Sequence, residues 1–352
     1  PGSEAWLKRE VARAHPSLRP AFARPGLVTF KAATPTISAD FAIESAFARS
    51  SGAALGSLED AAAIAELARR AAERLGAPLV LAVAPRVAGA WAELEADALA
   101  HAAAIADALA ADVKGAVMRA LPRPGQRVLD VLVAPGEPSF VGLHTHDASR
   151  APHPAGLLPA AIPASAPSRA YLKLAEAVLR FGLDLRAGES ALELGCSPGG
   201  ISLALVERGI EVLGVDPGAM DPRVGEAARA AREAGRRGSF RHLADPVGAL
   251  KRGDLPRPLH WIVSDMNLAP RVVFRYLERA VGPSRGTLLG AIVTLKLNEP
   301  AMIDELPEFA ERLRGMGFAR VRLAQLPSNR QELCALATTE RGEARIGHFR
   351  SD

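Results

Sequence analysis

The run Ala191-Leu192-Glu193-Leu194-Gly195-Cys196-Ser197-Pro198-Gly199-Gly200 carries a short apolar stretch into a glycine-rich turn. Ile201-Ser202-Leu203-Ala204-Leu205-Val206 then follows with a helical pattern. A strand, a tight loop and a helix start, in that order, make a ligand site in α/β proteins. The glycines let the backbone come close, and the helix start offers free N–H groups. The spacing is not G-x-G-x-x-G, since Gly195 is followed by Gly199 and Gly200 with Pro198 stiffening the turn. The next apolar run, 210–215, ends at Asp216, about twenty residues past Gly195, where a carboxylate can hold ribose hydroxyls. A plain strand-to-helix turn would account for the glycines alone. Glycines and Asp216 together point to a nucleoside cofactor. Asp245 and Asp265 stand after two further apolar runs. Three acids at strand ends beside one glycine loop predict a single pocket, in which Asp245 reads as a partner for an adenine edge.

Lysine is scarce. Of 43 basic residues only six are lysine: Lys8, Lys31, Lys114, Lys173, Lys251 and Lys296. Arginine serves wherever a plain positive charge suffices, so each lysine invites a question. The net charge of +4 tilts the chain toward a polyanionic partner. With 49% apolar and 23% charged residues over 352 positions, the composition is that of a soluble globular protein with room for two or three domains. Charges or prolines interrupt every apolar run before it reaches the length of a membrane span. Glu4, Lys8, Arg9 and Glu10 break any signal-peptide pattern, and two cysteines, Cys196 and Cys334, make no disulfide framework. A cytoplasmic location is the expectation. A proline at position 1 reads as a processed or trimmed start.

The elements that must position these residues follow from periodicity. Residues 4–14 read as a helix with Trp6, Leu7 and Val11 on one side, ended by Pro16 and Pro20. Strands are predicted at 27–30 and 41–47, a helix over 58–75, a strand at 79–83 and a long alanine-rich helix over 87–111. Residues 127–133 and 139–144 read as a hairpin around Ala134-Pro135-Gly136-Glu137-Pro138. From 148 to 167 the composition shifts to proline and alanine, which predicts an extended, stiff linker. Beyond it, helices and strands alternate. Helices are predicted over 168–181, after Gly200, and over 224–234, 271–281 and 301–315. Strands are predicted at 189–194, 210–216, 239–243, 259–264, 287–297, 320–326 and 332–338. Such alternation means a mostly parallel sheet with helices on both faces and ligands at the carboxyl ends of its strands.

Four further stretches carry a resemblance. Ser168-Arg169-Ala170-Tyr171-Leu172-Lys173-Leu174, Ser264-Asp265-Met266, Leu295-Lys296-Leu297 and Asn329-Arg330-Gln331-Glu332-Leu333 supply lysine, acid, lysine and acid in that order. With the Cys-Ser-Pro-Gly-Gly loop they make the chain resemble the FtsJ-like ribose 2′-O-methyltransferases. Within these the likeness is to the M-type enzymes of bacterial large-subunit ribosomal RNA. It extends through Ala166-Pro167, Val215-Asp216-Pro217-Gly218-Ala219-Met220, Val133-Ala134-Pro135-Gly136, Val141-Gly142 and the opening Pro1-Gly2-Ser3-Glu4. Ile201 stands where relatives usually carry an aromatic, Asn298 replaces a usual proline, and 221–238 is expanded.

The resemblance implies a Rossmann-like S-adenosylmethionine (SAM)-dependent methyltransferase domain over 168–352, with a mostly parallel seven-stranded sheet including an added antiparallel strand. It also implies a small α+β segment over 1–50 and an α+β THUMP-type RNA-binding domain over 51–147, with 148–167 as the linker. The implied reaction is ribose 2′-O-methylation of large-subunit ribosomal RNA, at a cytidine. Its tetrad falls on Lys173, Asp265, Lys296 and Glu332. The chemistry suits these types. A ribose hydroxyl must lose its proton as it attacks a sulfonium methyl group, and a lysine of lowered pKa can take that proton where arginine cannot. Lys296 is then the base, Lys173 its cationic neighbour, and Asp265 and Glu332 orienting acids. Glu193, Gly195, Cys196, Ser197, Pro198, Gly199, Gly200, Asp216, Asp245 and Asp265 are the expected cofactor residues, and a side chain at Gly199 would press on the cofactor. Arg169, Arg320, Arg322 and Arg330 are candidate RNA contacts.

Other readings are weaker. A nicotinamide dehydrogenase would want the dinucleotide fingerprint. A non-catalytic RNA-binding protein would not need the tetrad, and a methyltransferase for another RNA remains the nearest alternative. His144-Thr145-His146-Asp147 offers too few ligands for a structural metal. Cys196 reads as a small loop residue, since methyl transfer from a sulfonium needs no covalent step. Neither a metal, nor a membrane, nor an obligate protein partner is expected.

Overall fold

The computed structural model describes residues 3–33, 37–86, 96–147 and 150–349. The chain divides between Pro159 and Ala160 into two compact units. This division lies inside the proline-rich stretch, whose Leu157, Leu158 and Ala160 are buried.

In the first unit, helix α1 (Glu4–Ala14) precedes a two-stranded antiparallel ribbon, β1 (Leu18–Arg24) and β2 (Leu27–Ala32). Then come β3 (Ala53–Leu58), α2 (Ala61–Leu75), β4 (Leu79–Pro85), α3 (Ala96–Asp112), β5 (Val117–Met118), β6 (Arg127–Ala134) and β7 (Glu137–Thr145). The five strands order as β3-β7-β6-β4-β5, with β6–β4 and β4–β5 parallel and the other pairs antiparallel. Ile64 and Ala68 of α2 and Leu109 of α3 bury against Leu81, Leu129 and Val131 of the sheet. Asp60 starts α2 by accepting from Ala63 N, and Gly76 ends it in the left-handed region at φ 65°. The predicted helix over 87–111 is seen as α3; its 87–95 part lies outside the described residues.

Two sequence expectations fail here. Residues 41–47 are no strand, despite their aromatic spacing. Their loop is held by buried Glu10, whose carboxylate accepts from Ala46 N at 3.0 Å and from Ser45 Oγ. Phe47 packs edge-on to Trp6, ring centres 5.5 Å apart. A side chain thus satisfies the N–H that a neighbouring strand would have paired. Conversely 18–24 is a strand that Pro20 hid. An edge strand tolerates proline, and the register shifts between Pro20 and Phe22.

The second unit runs α4 (Ala170–Phe181), β8 (Ser190–Leu194), α5 (Gly200–Glu207), β9 (Glu211–Val215), α6 (Pro222–Glu233) and β10 (Ser239–Leu243). It continues with β11 (Trp261–Ser264), α7 (Pro270–Ser284), β12 (Gly290–Lys296), α8 (Leu306–Gly315), β13 (Arg320–Ala324), β14 (Glu332–Thr338) and α9 (Glu340–Glu343). Its seven-stranded sheet has the order β10-β9-β8-β11-β12-β14-β13. Six strands run in one direction and β14 runs antiparallel to both its neighbours, so the sheet is mixed. The helix predicted over 301–315 is a 3-10 turn over 300–305 followed by α8, because Pro307 suits a first turn and not a helix interior. Among the described residues no helix is long and apolar enough to cross a membrane.

Every residue of β8 is buried, as a strand covered on both faces requires. That includes Glu193, 1% exposed, whose carboxyl accepts from Ser202 Oγ of α5 at 2.6 Å. Burial, reinforced by the Asp265 and Asp216 carboxylates, pushes Glu193 up to about 8. A neutral acid therefore ties α5 to β8.

Two stability predictions follow from these buried carboxyls. Glu10→Ala leaves Ala46 N without its acceptor and should destabilise the first unit by about 2 kcal/mol in urea unfolding; an unchanged midpoint would contradict the role given to it. For Glu193, the unfolded chain releases the proton near 4.5 and the folded chain near 8. Its stabilising contribution is complete at low pH and is lost as pH rises through that window. Glu193→Gln keeps an acceptor for Ser202 without a proton to lose. Relative to wild type, its unfolding midpoint should therefore improve between about pH 5 and pH 8. Parallel pH curves would remove the argument.

Candidate active site

The strand order reverses between β8 and β11, the place where open α/β sheets form their ligand crevice. The Gly195–Gly199 loop leaves the end of β8, and Asp265 leaves the end of β11 beside it, with Asp265 N donating to Leu194 O. One strand further, Lys296 closes β12 in register with Glu332, the first residue of β14. Lys173 enters from α4, a helix that buries Leu172, Leu174, Ala175 and Ala177 and so fixes where its one lysine projects.

The four charged groups meet. Lys173 Nζ donates to Asp265 Oδ1 at 2.8 Å, to Oδ2 at 2.9 Å and to Glu332 Oε2 at 2.8 Å. Lys296 Nζ pairs with Glu332 Oε1 and lies 3.5 Å from Asp265 Oδ1. The side chains are only 12–17% exposed. Burial works to lower the Lys173 pKa, but the Asp265 and Glu332 carboxylates outweigh it and hold the ammonium above its ordinary value. Burial likewise works to raise Glu332, and hydrogen bonds from Lys173 and Lys296 bring it below the usual carboxylate range.

One positioning residue escaped the sequence reading. Glu176, a turn along α4 from Lys173, is fully buried and accepts from Ser328 N at 2.8 Å and Ser328 Oγ at 2.7 Å. It thereby ties the loop that leads into Glu332 to the helix that carries Lys173. Its signal in the sequence was an acid among buried apolar neighbours of one helix.

In the glycine loop, Gly195 and Gly199 take φ of +82° and +116°, the left-handed region that favours glycine. What crowds Gly199 is the protein itself: a Cβ there would lie 2.5 Å from Val224 Cγ2 and 2.8 Å from Met220 Cε. A side chain at Gly199 would therefore press on Val224 and Met220, where α6 packs beside the start of α5. Glu193 is turned inward onto Ser202. Burial pushes the Cys196 thiol up, and its Sγ lies 3.6 Å from Met220 Sδ, an inert packing position. Ser197 is fixed by donating Oγ–H to Ala219 O. Asp216, at the end of β9, accepts from Gly218 N at 2.7 Å and Ser197 N at 3.3 Å, and keeps lone pairs for a diol. Asp245 is exposed just past β10. A carboxylate for hydroxyls, a backbone turn and an outer acid fit a nucleoside.

The arginines divide. Arg169 and Arg330 are exposed, and in sequence they stand shortly before Lys173 and Glu332 respectively. Arg320 pairs in register with Thr338, six residues along β14 from Glu332 and so about 20 Å from the cluster at 3.3 Å per residue. Arg322, which pairs with Leu336 four residues along β14, is held by the Glu343 carboxylate at 2.7 and 2.8 Å. These two lie toward the opposite end of the sheet and do not flank the tetrad. In the first unit, His144 Nδ1 meets Asp130 Oδ2 at 2.5 Å, and burial, then the neighbouring His144, pushes His146 down to about 4. Among the described residues no group of three or more His, Cys, Asp or Glu side chains is placed to hold a metal.

Known proteins are similar to this chain in sequence. Three curated relatives are each named Ribosomal RNA large subunit methyltransferase M. That of Azoarcus sp. (strain BH72) is 29% identical over 233 residues, covering 63% of this chain and 59% of the relative. That of Methylococcus capsulatus is 33% identical over 205 residues, covering 55% and 53%. That of Azotobacter vinelandii is 32% identical over 231 residues, covering 62% and 61%. The chain thus spans between half and two thirds of the length of these relatives. Residues 166–302, which include the glycine loop, Asp216, Asp265 and both site lysines, match the family described as FtsJ-like methyltransferase.

Proposed function

We propose that this protein is a SAM-dependent methyltransferase that acts on the 2′-hydroxyl of a ribose in large-subunit ribosomal RNA, at a cytidine. The observation that carries the reading is the Lys173-Asp265-Lys296-Glu332 cluster at the strand ends beside the glycine loop. The relatives' names supply the RNA. SAM, when bound, supplies a methyl group on a positively charged sulfur. Asp216 is the group for its ribose hydroxyls and Asp245 for its adenine edge, with the 195–200 turn and Asp265 bordering the rest.

The roles within the cluster follow from how fully each lysine is engaged. Lys173 spends its three N–H donors on three carboxylate oxygens, and those carboxylates keep it charged. It is suited to act as a fixed cation. Lys296 has one close partner, Glu332, and a looser one in Asp265, which leaves donor directions open toward a ribose. Lys296 takes the hydroxyl proton as the oxygen attacks. Asp265 and Glu332 hold both lysines in place. Arg169 and Arg330, both exposed, are the proposed contacts to phosphates of the same strand. Residues 51–147 act as a THUMP-type module that supplies RNA affinity, with 1–50 as an accessory segment and 148–167 as the join.

Lys296→Arg tests the base directly, because it retains charge and reach but cannot give up its proton. Single-turnover methyl transfer should fall at least about 100-fold in both Lys296→Arg and Lys296→Ala, with SAM and RNA still bound. Lys173→Arg should be the milder change. A Lys296→Arg protein near the wild-type rate would remove Lys296 as the base.

A further inference from the structure

Arg19 of β1 and Lys31 of β2 stand directly opposite each other across the antiparallel ribbon. Both are exposed, and among the described residues neither side chain forms an ion pair or hydrogen bond. Like charges in opposed positions repel and weaken a strand pair. Their face carries more. Thr29 and Leu27 alternate onto the Lys31 side, and their partners across the ribbon are Phe22 and Arg24. Phe22 comes three residues after Arg19 and would normally point the other way. The register shift between Pro20 and Phe22 leaves Ala21 unpaired and returns Phe22 to the cationic face.

Phe22 is a large apolar side chain left 40% exposed. Its ring stacks on Phe140 of β7, centroids 5.6 Å apart and planes 30° apart, and Arg24 Cζ lies 5.6 Å from its centre. The opposite face of the ribbon holds Leu18, Val28 and Phe30, with Leu18 buried. One side of the ribbon is therefore a conventional packing face. The other presents three cations around an aromatic pair.

We infer that this face of the β1–β2 ribbon docks single-stranded RNA, with Arg19, Lys31 and Arg24 on phosphates and Phe22, backed by Phe140, as a platform for a base. The inference rests on the reading that the protein acts on RNA, and adds a surface within residues 18–32 that the tetrad does not require. A polyanion relieves the Arg19–Lys31 repulsion. An exposed ring flanked by cations is matched by unpaired bases, whereas duplex RNA keeps its base faces stacked inside.

The test uses the full chain, a single-stranded oligoribonucleotide and the duplex of the same sequence, with affinity measured across a range of salt. Lys31→Glu places opposite charges across the ribbon, so its unfolding midpoint should be no lower than wild type. Its affinity for the single strand should fall about tenfold, with the slope of log affinity against log salt shallower by about 0.7 for each phosphate that is no longer neutralised. Phe22→Ala should also weaken single-strand binding roughly tenfold while leaving the salt slope and duplex binding unchanged. If wild type binds the single strand and both variants match it, the ribbon is not the docking surface and the RNA reading stands. Equal weakening for duplex and single strand overturns the base platform. A wild-type chain that binds no RNA overturns the underlying reading itself.

Discussion

The second unit is organised around a compensated cluster of four charges. Each lysine meets both carboxylates, so cations and anions alternate and each charge has opposite partners within 3.5 Å. Taking an ion out of water costs several kcal/mol, and removing one member of a buried pair leaves the other uncompensated. Side chains 12–17% exposed are far enough from water for that cost to be felt. The cluster is therefore tolerable only when all four members arrive together. They come from α4, the end of β11, the end of β12 and the start of β14. Buried Glu176 reinforces the constraint by tying the chain just before β14 to α4.

The direction of β14 is what makes the arrangement possible. The parallel strands end at the ligand crevice, so a residue that begins another parallel strand would lie at the far end of the sheet. Because β14 runs backwards, its first residue, Glu332, pairs with the last residue of β12, Lys296, while Thr338 pairs with Gly290 at the other end. β13 is antiparallel to β14 and so runs with the parallel strands, which leaves Arg320 and Arg322 near its start, away from the site. Residues close in sequence to Glu332 are thus separated from the cluster by strand direction, and Arg322 finds Glu343 instead.

The second unit was largely legible in the sequence because its signals were strong and redundant. Continuous apolar runs marked strands covered on both faces, and glycines and acids marked their ends. What the sequence could not show was which way a buried polar group turns. Glu193 looked like a pocket acid and is a neutral core residue bound to Ser202. At Gly199 the sequence did not show that Val224 and Met220 crowd the position. In both cases the deciding contact comes from a residue remote in the chain or on the next helix, and periodicity carries no information about it. The first unit was harder. The 41–47 segment has strand composition but is held by the Glu10 carboxylate, and the 18–24 strand contains a proline that local propensity reads as a break.

The scarcity of lysine acquires a physical meaning at two positions, and for different reasons. At Lys173 the requirement is shape. One ammonium reaches both oxygens of Asp265 and one oxygen of Glu332 at 2.8–2.9 Å, a converging three-way contact. A planar guanidinium directs its donors in a flat fork and cannot place all three from one nitrogen. At Lys296 the role proposed above asks for proton exchange, which no arginine performs in a protein. A chain that meets most of its need for positive charge with arginine keeps lysine at both positions of the cluster, where the proposed roles ask for a compact donor and for one able to give up its proton. Residue type here reports on the demand of the site, and the two lysines of one cluster answer two separate demands.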